Sequence, residues 1–522
     1  MLTTNSSSYY GLLVIKLFLI VQFLSTCTNG ELKGDLFSSR EALLELYKSE
    51  NIAMGLLRDY VQENKVDHDY LEKTLLEFET AQWKALVNPV EYLSNPVNAF
   101  MLLKRLSVDW PIVVDLTDNL NGALKKVEEL SLPTESDLLS AVLSLERLQN
   151  TYNLSASDLR VLNINGIQYP GIVMKPMDCF EIGRQLYGNA HFGRASEWFE
   201  ESLENMEEMH YFINALYYLS YSYYKSGYKK ESAERFKILS EVIGLNSNKT
   251  ADVIKYRNII KNMRTIKTTY DPKEDEWNSD VKYYRKLCRG EELRTPKQQV
   301  NLKCRYVNDH SPFLKIAPLK LEILNEVPFI AQYYDVISDS EIAVLKELAT
   351  PNLTDSAVYN DGAYERLSSR ISKIQWLLED EHPLLKTLSR RIEDMTALSA
   401  EYSEPLQIAS YGIGGHYVPH YDWFGYRRDV PERDRIATLM FYMSEVQQGG
   451  GTAFTRAHVL VKPVKGSAAM WYNLYKDGEG DESTFHGACP VLVGQKWAAN
   501  KWLHEYGNEF ERKCDLVQDS LS

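Results

Sequence analysis

The chain has 522 residues, 44% of them hydrophobic and 25% charged. That is enough for roughly three domains, each with its own core, and it excludes wholesale disorder. A net charge of −14 argues against nucleic acid or an anionic membrane surface as partner.

Residues 11–24 form an apolar run, followed by small and polar residues to Gly30. The run is too short to span a bilayer and reads as part of a signal peptide, residues 1–30. Lys16 within it keeps a signal anchor open as the alternative. No other run approaches the roughly 20 apolar residues of a membrane span. Sequons at Asn153, Asn248 and Asn352 are compatible with a secreted glycoprotein. Beyond Cys27 five cysteines remain: Cys179, Cys288, Cys304, Cys489 and Cys514. Local pairing, Cys288 with Cys304 and Cys489 with Cys514, is the preferred of three connectivities and leaves Cys179 as a spare thiol.

Residues 31–145 read as a helical region, even between a plain bundle and a dimerising helical pair. Leu43, Leu44, Leu46, Tyr47, Met54, Leu57 and Val61 approximate a 3.6-residue apolar stripe. Asn95-Pro96 interrupts the pattern, and 100–106, 120–132 and 138–148 are further helical candidates. Residues 146–250 contain an internal repeat. Gly183 and Ser220, Ala195 and Ser232, and Phe199 and Phe236 are each 37 residues apart. A small residue, another twelve later and an aromatic four beyond is the tetratricopeptide spacing, usually of period about 34. Tyr217, Tyr218, Tyr221, Tyr223, Tyr224 and Tyr228 crowd the second unit. Those not needed in its core would line a groove for an extended, proline-rich peptide. Residues 251–326 are polar, without sustained periodicity, and read as a linker pinned by a Cys288–Cys304 bridge.

From residue 327 the pattern changes to short strands and glycine turns. Ser338 and Glu341 form a capping-box signature for a helix over 338–348, and 382–398 reads as a long amphipathic helix. Residues 370–377, 406–411, 438–443, 468–474, 490–493 and 497–503 are strand candidates. Such a series suits a sandwich or barrel.

Within it, residues 411–422 place His420 and Asp422 two apart, on one face of an extended chain. The pair alone is weak, since ten histidines give about half a chance match. It follows a glycine-rich turn, however, and His486 offers a third ligand. Two histidines and one carboxylate are the facial set of non-haem Fe(II) oxygenases, with positions open for a chelating co-substrate and O2. Lys496, beyond the Gly494 turn, would meet the far carboxylate of a dicarboxylic keto acid such as 2-oxoglutarate. His416 and His458 are read as non-ligands.

Residues 411–422, 435–446, 471–474, 486–497 and 500–505 resemble collagen prolyl 4-hydroxylase alpha subunits. So do Asn-Pro-Val-Asn-Ala-Phe at 95–100 and Cys-Phe-Glu-Ile-Gly-Arg at 179–184, so the likeness covers nearly the whole chain after residue 30. The resemblance implies Fe(II) at His420, Asp422 and His486, and 2-oxoglutarate held by Lys496, Tyr411 and Thr452. It sets Tyr417, Arg435, Trp502 and His504 near the substrate proline. It also implies O2 as co-substrate, L-ascorbate to rescue oxidised iron, and a tetratricopeptide-like domain that binds collagen-like polypeptide. Its partner would be protein disulfide isomerase in a two-plus-two heterotetramer in the endoplasmic reticulum lumen. Such a partner would supply the retention signal, since the last residues here are not of the KDEL type. The family's cysteine pairing agrees with the local one. His416, Val418 and Phe485 depart from the common family residues beside the metal motif and bear on peptide preference.

The expected fold is therefore multidomain. All-α N-terminal and tetratricopeptide-like helical domains precede a double-stranded β-helix, or jelly-roll, dioxygenase domain at 327–512 with supporting helices, and 513–522 is a tail. Hydroxylation of another residue such as lysine, or a non-catalytic tetratricopeptide adaptor, are the rival readings.

Overall fold

The computed structural model describes residues 36–64, 69–118, 124–128, 130, 132–245, 279–356, 358–360, 363–365, 369–424 and 434–514. The signal-peptide expectation, Asn248, the first part of the linker (251–278), residues 120–123, 129 and 131 of the 120–132 candidate and nearly all of the tail lie outside these residues. Among them no helix is long and apolar enough to cross a membrane.

The N-terminal part is helical. Helices α1 (Arg40–Asn64), α2 (Asp69–Ala85) and α3 (Pro96–Lys104) pack their apolar stripes together. Asn95 does more than interrupt: its side chain accepts from the N–H groups of Val97 and Asn98, and Pro96 opens the helix. A π-helical turn, Arg105–Asp109, follows α3. It carries a buried ion pair, Arg105 to both oxygens of Glu50 at 2.7 and 2.8 Å, which ties α3 to α1. Helix α4 (Glu135–Tyr152) starts at Thr134 in a reciprocal cap with Asp137.

Four further helices form two consecutive hairpins: α5 (Pro176–Gly188), α6 (Phe192–Leu203), α7 (Met209–Lys225) and α8 (Lys229–Leu245). The small residues of the 37-residue pattern lie where these helices meet. A Cβ on Gly183 would sit 2.8 Å from the Phe199 ring, and the Ser232 hydroxyl donates to the Ser220 carbonyl at 2.9 Å. Cys179 is buried and free, as the cysteine count anticipates.

Among the described residues, nine strands make the larger antiparallel sheet. In chain order its members are β1 (Cys304–Val307), β2 (Leu319–Asn325), β3 (Ile330–Tyr334), β4 (Thr354–Asp355), β6 (Lys373–Leu377), β7 (Leu406–Tyr411), β9 (Arg435–Tyr442), β12 (Ala468–Tyr472) and β14 (Lys496–His504). Their spatial order is β1-β2-β3-β12-β9-β14-β7-β6-β4. A five-stranded sheet runs β11 (Val459–Val461), β10 (Thr452–Phe454), β13 (His486–Ala488), β8 (His416–His420), β5 (Arg370–Ile371). The segment 370–377, expected as one strand, is divided at Ser372: β5 joins the small sheet and β6 the large one.

Alternation along β9 explains the layers. Ala437, Leu439 and Phe441 face helices α10 (Asp339–Ala349) and α11 (Pro383–Thr396), whose Leu345, Leu388 and Ile392 cover that side. Met440 and Tyr442 face the small sheet and pack with its Phe454, Val459 and Val461. Ser338 and His382 cap the two supporting helices, as the sequence pattern predicts for Ser338.

Two expectations are corrected here. The stretch read as polar connector contains helix α9 (Ser279–Cys288) and the strands β1 and β2. The disulfide joins Cys288 to Cys489, with Cα atoms 5.5 Å apart, whereas Cys304 and Cys514 are free and exposed. The reason is packing. Helix α9 lies against β10, β8 and β11, which delivers its last residue to the segment after β13, while Cys304 sits on the outermost strand of the other sheet.

That segment after β13 is heavily held. The Tyr284 hydroxyl donates to the Ala488 carbonyl at 2.7 Å, and Tyr152 of α4 donates to the Pro490 carbonyl. The adjoining glycine turn is held as tightly, because a Cβ on Gly412 would overlap the Ser38 carbonyl.

Candidate active site

Both histidines are presented by the small sheet. His420 ends β8 and His486 begins β13, and the two are direct cross-strand partners, with ring centroids 4.6 Å apart. Asp422 lies two residues beyond His420, just past the strand. Its Oδ1 is 3.5 Å from His420 Nε2 and its Oδ2 3.8 Å from His486 Nε2. One ligand atom from each residue falls within 4.8 Å of the others, the one such cluster of three among the described residues.

Each imidazole is oriented by its other nitrogen. His420 Nδ1 lies 2.9 Å from the Val418 carbonyl, and His486 Nδ1 2.9 Å from that of Thr484. A carbonyl can only accept, so Nδ1 carries the proton and Nε2 keeps its lone pair for a metal. Burial pushes His486 down to about 4, with Asp422 opposing, so the ring is neutral at physiological pH. Burial disfavours ionised Asp422, yet the nearby His486 and His420 rings hold its carboxyl well below the usual range. Two imidazole nitrogens and one carboxylate suit a borderline divalent ion, so the residues present fit Fe(II). His486 is walled by Phe454 and Trp471, with centroids at 5.1 and 4.8 Å. His420 keeps 20% of its side chain exposed, so the cluster opens on its side.

A second polar group lies deeper between the sheets. Lys496 is 1% exposed, and its Nζ has no hydrogen-bond partner among the described residues. It stands over the rings of Tyr411 and Tyr442, at 5.5 and 5.3 Å. Tyr411 is its partner across β7 and β14. Thr452 reaches the same place through a 2.9 Å hydrogen bond to the Tyr442 hydroxyl. Burial alone pushes the Lys496 ammonium down to about 7. An orphaned buried ammonium fits a ligand carboxylate. Tyr442 was not foreseen, because a tyrosine inside an apolar run reads as core.

A third group sits at the open edge. Tyr417 stacks on His420, with centroids 3.6 Å apart, and the Arg370 guanidinium lies 4.8 Å from the Tyr417 ring. Arg435 donates to both oxygens of Glu404 at 2.5 and 2.7 Å and lies 4.1 Å from the Trp502 ring. His504 Nε2 is 3.1 Å from Glu404, which thereby links two of the predicted residues. Burial works against ionised Glu404, but His504 and Arg435 lower its carboxyl overall. Glu404 sits in a polar loop before β7, where no sequence signal distinguishes it. His416 is buried, with Nδ1 3.3 Å from the Gly414 carbonyl, and His458 packs on Tyr283 at 4.6 Å. Neither belongs to the metal-competent cluster.

Comparison with known proteins agrees with this geometry. Residues 406–504 match the 2OG-Fe(II) oxygenase superfamily, and residues 39–166 match the prolyl 4-hydroxylase alpha-subunit N-terminal region. The chain is thus an oxygenase of the iron and 2-oxoglutarate class joined to a helical N-terminal region. It is 35% identical to prolyl 4-hydroxylase subunit alpha-1 of Mus musculus, over 92% of this chain and 96% of the mouse protein. Against subunit alpha-2 of Caenorhabditis elegans the identity is 35%, covering 94% and 95% of the two chains. The chain belongs to the prolyl 4-hydroxylase alpha-subunit family. Among solved structures, the viral collagen prolyl hydroxylase of Paramecium bursaria Chlorella virus-1, as its 2OG complex, aligns at 24% identity. The match covers 34% of this chain and 95% of that one, with a TM-score of 0.29.

Proposed function

We propose that the chain hydroxylates C4 of peptidyl proline in collagen-like or other proline-rich polypeptides, with 2-oxoglutarate decarboxylated to succinate and CO2. It is a 2-oxoglutarate-dependent proline 4-dioxygenase by family and by its oxygenase domain. The observation that carries the assignment of its centre is the meeting of two free imidazole nitrogens and a carboxylate beside an unpartnered buried ammonium. In this reading His420, Asp422 and His486 hold Fe(II). Lys496, with Tyr411 and Thr452, receives the far carboxylate of 2-oxoglutarate. Bound iron, with 2-oxoglutarate and O2, supplies the oxidising power that no side chain has.

The rest is positioning by this chain's residues. Phe454 and Trp471 keep bulk water from His486. Tyr417, stacked on His420, and Trp502, under Arg435, border the place where the proline is read to dock, and Glu404 holds Arg435 and His504 in place there. The two sheets are read as a double-stranded β-helix and the four-helix repeat as a tetratricopeptide-like domain. Tyr187, Tyr218 and Tyr221 form a half-exposed aromatic tract, with Tyr187 4.8 and 5.6 Å from the other two. Such a surface suits an extended proline-rich chain. We divide the chain as 31–145, 146–250 and a catalytic part that takes in helix α9 and strands β1 and β2 and runs to 512, after a signal peptide at 1–30. L-ascorbate, a disulfide isomerase partner in a two-plus-two assembly, glycosylation and the endoplasmic reticulum lumen complete the proposal.

The test is 2-oxoglutarate decarboxylation driven by a Pro-Pro-Gly repeat peptide. Turnover that needs the peptide is expected, and no proline-dependent turnover with iron present would overturn the reading. Tyr221→Ala should raise KM for long repeat peptides several-fold and leave tripeptide-length substrates unaffected. Equal loss on both would defeat the groove assignment.

Because Lys496 titrates at about 7 when buried without a partner, 2-oxoglutarate binding should take up a proton above that pH. A carboxylate ligand favours the charged form and raises its pKa. Affinity is then fully present below pH 7 and falls about tenfold for each pH step above it. Calorimetry in buffers of different ionisation enthalpy measures the uptake. Pure pH independence from 7 to 9 would exclude Lys496 as the partner.

A further inference from the structure

Asp422 lies outside regular structure, two residues past the end of β8, yet a metal ligand must be held in one orientation. Its carboxylate is anchored from the large sheet. Thr438, on β9, donates its hydroxyl to Asp422 Oδ2 at 2.7 Å. Thr438 is paired across the sheet with Trp471 on one side and Trp502 on the other, and its β-branched side chain is stiff. Asn473 Nδ2 in turn donates to Thr438 Oγ1 at 2.8 Å. Asn473 is fully buried and fixed at both ends of its peptide unit. Its N–H bonds to the Ile436 carbonyl and its C=O accepts from Asp481, in the loop that leads to His486.

The direction of this chain of bonds is set by chemistry. An ionised carboxylate only accepts, so the one hydroxyl proton of Thr438 goes to Asp422. The hydroxyl oxygen can then only accept from its other neighbour, which requires the amide nitrogen of Asn473 and not its oxygen. Asn473 Oδ1 is left with no partner among the described residues. That cost persists because turning the amide over would take the donor away from Asp422.

We infer that Asn473 and Thr438 form a one-way hydrogen-bond relay that positions Asp422 by its Oδ2 oxygen and leaves Oδ1 as its single ligating oxygen. Both are positioning residues, since neither reaches the metal or the substrate. The inference rests on His420, Asp422 and His486 being the metal ligands.

The test uses the full chain and Co(II) as probe, without oxygen, following affinity and the visible spectrum that reports coordination number. Thr438→Val keeps the shape and removes the hydroxyl. It should weaken Co(II) binding by about 10–100-fold and alter the spectrum, and Thr438→Ser should restore both. Asn473→Leu should weaken binding less, and add nothing in a Thr438→Val background. Wild-type affinity and spectrum in Thr438→Val would overturn the relay. Should that variant not fold, unchanged affinity in Asn473→Leu would do the same. His486→Ala serves as the control: if it also keeps full Co(II) affinity, the metal assignment fails rather than the relay.

Discussion

A His486→Ala chain is expected to lose metal binding and proline-dependent turnover together, each by more than about 100-fold. Removing only a hydrogen-bond partner of a ligand typically costs 10–100-fold, and here a donor itself is lost. No neighbour can replace it. His416 and His458 stand outside the cluster, and the walls of the His486 site are Phe454 and Trp471. The fold should survive, because the change removes one ring from a packed sandwich and frees one carbonyl, that of Thr484. That amounts to roughly 2–4 kcal/mol. Metal content by elemental analysis, alongside circular dichroism, checks both halves. A folded variant that still binds iron stoichiometrically would sink the ligand assignment.

Lys496→Met should act in opposite directions on activity and stability. Loss of the only counter-charge proposed for the far carboxylate should raise the KM for 2-oxoglutarate by about 100-fold or more, since truncating one of two buried charged partners costs 2–5 kcal/mol. The ligand-free chain, by contrast, should melt higher. Lys496 is buried with no partner, and burial alone pushes its ammonium from 10.5 to about 7. The unfolded chain therefore binds more protons between about pH 7 and 10.5, and wild-type stability rises with pH across that window. The advantage of methionine is then full below pH 7 and fades toward pH 10.5. Thermal melts at pH 6 and pH 9 without ligand test the sign. A methionine variant that melts lower at pH 6 would mean that Lys496 has a structural partner.

The parts of the site that were legible in the sequence are those joined by short-range rules. His420 and Asp422 are two residues apart, Lys496 follows a glycine turn, and Ser338 announces its helix by its spacing from Glu341. What stayed hidden depends on strand pairing. Nothing in the chain says that His420 and His486 are cross-strand neighbours, or that Glu404 meets both Arg435 and His504. Thr438 and Tyr442 look like ordinary members of a strand until alternation turns them toward the small sheet. The connector misled for a related reason. The three outer residues of β1 are exposed and α9 buries only Tyr284, Leu287 and Cys288, so neither shows an apolar pattern long enough to read. The cysteines misled because sequence proximity stands in poorly for spatial proximity once a helix crosses a sheet.

The Cys288–Cys489 bond also sets a timetable for making this protein. Its two halves are 201 residues apart, so at ribosomal speeds of 5–20 residues per second the second thiol emerges roughly 10–40 s after the first. Cys304 emerges within about 1–3 s. Over that interval the growing chain offers Cys288 the nearer Cys304 and the earlier Cys179, but not Cys489. Any bond formed in that interval must be undone by attack of a thiolate before the native link can close. Maturation of this chain is thus a race between neighbours and a late arrival, and an oxidising compartment without efficient exchange favours the neighbours.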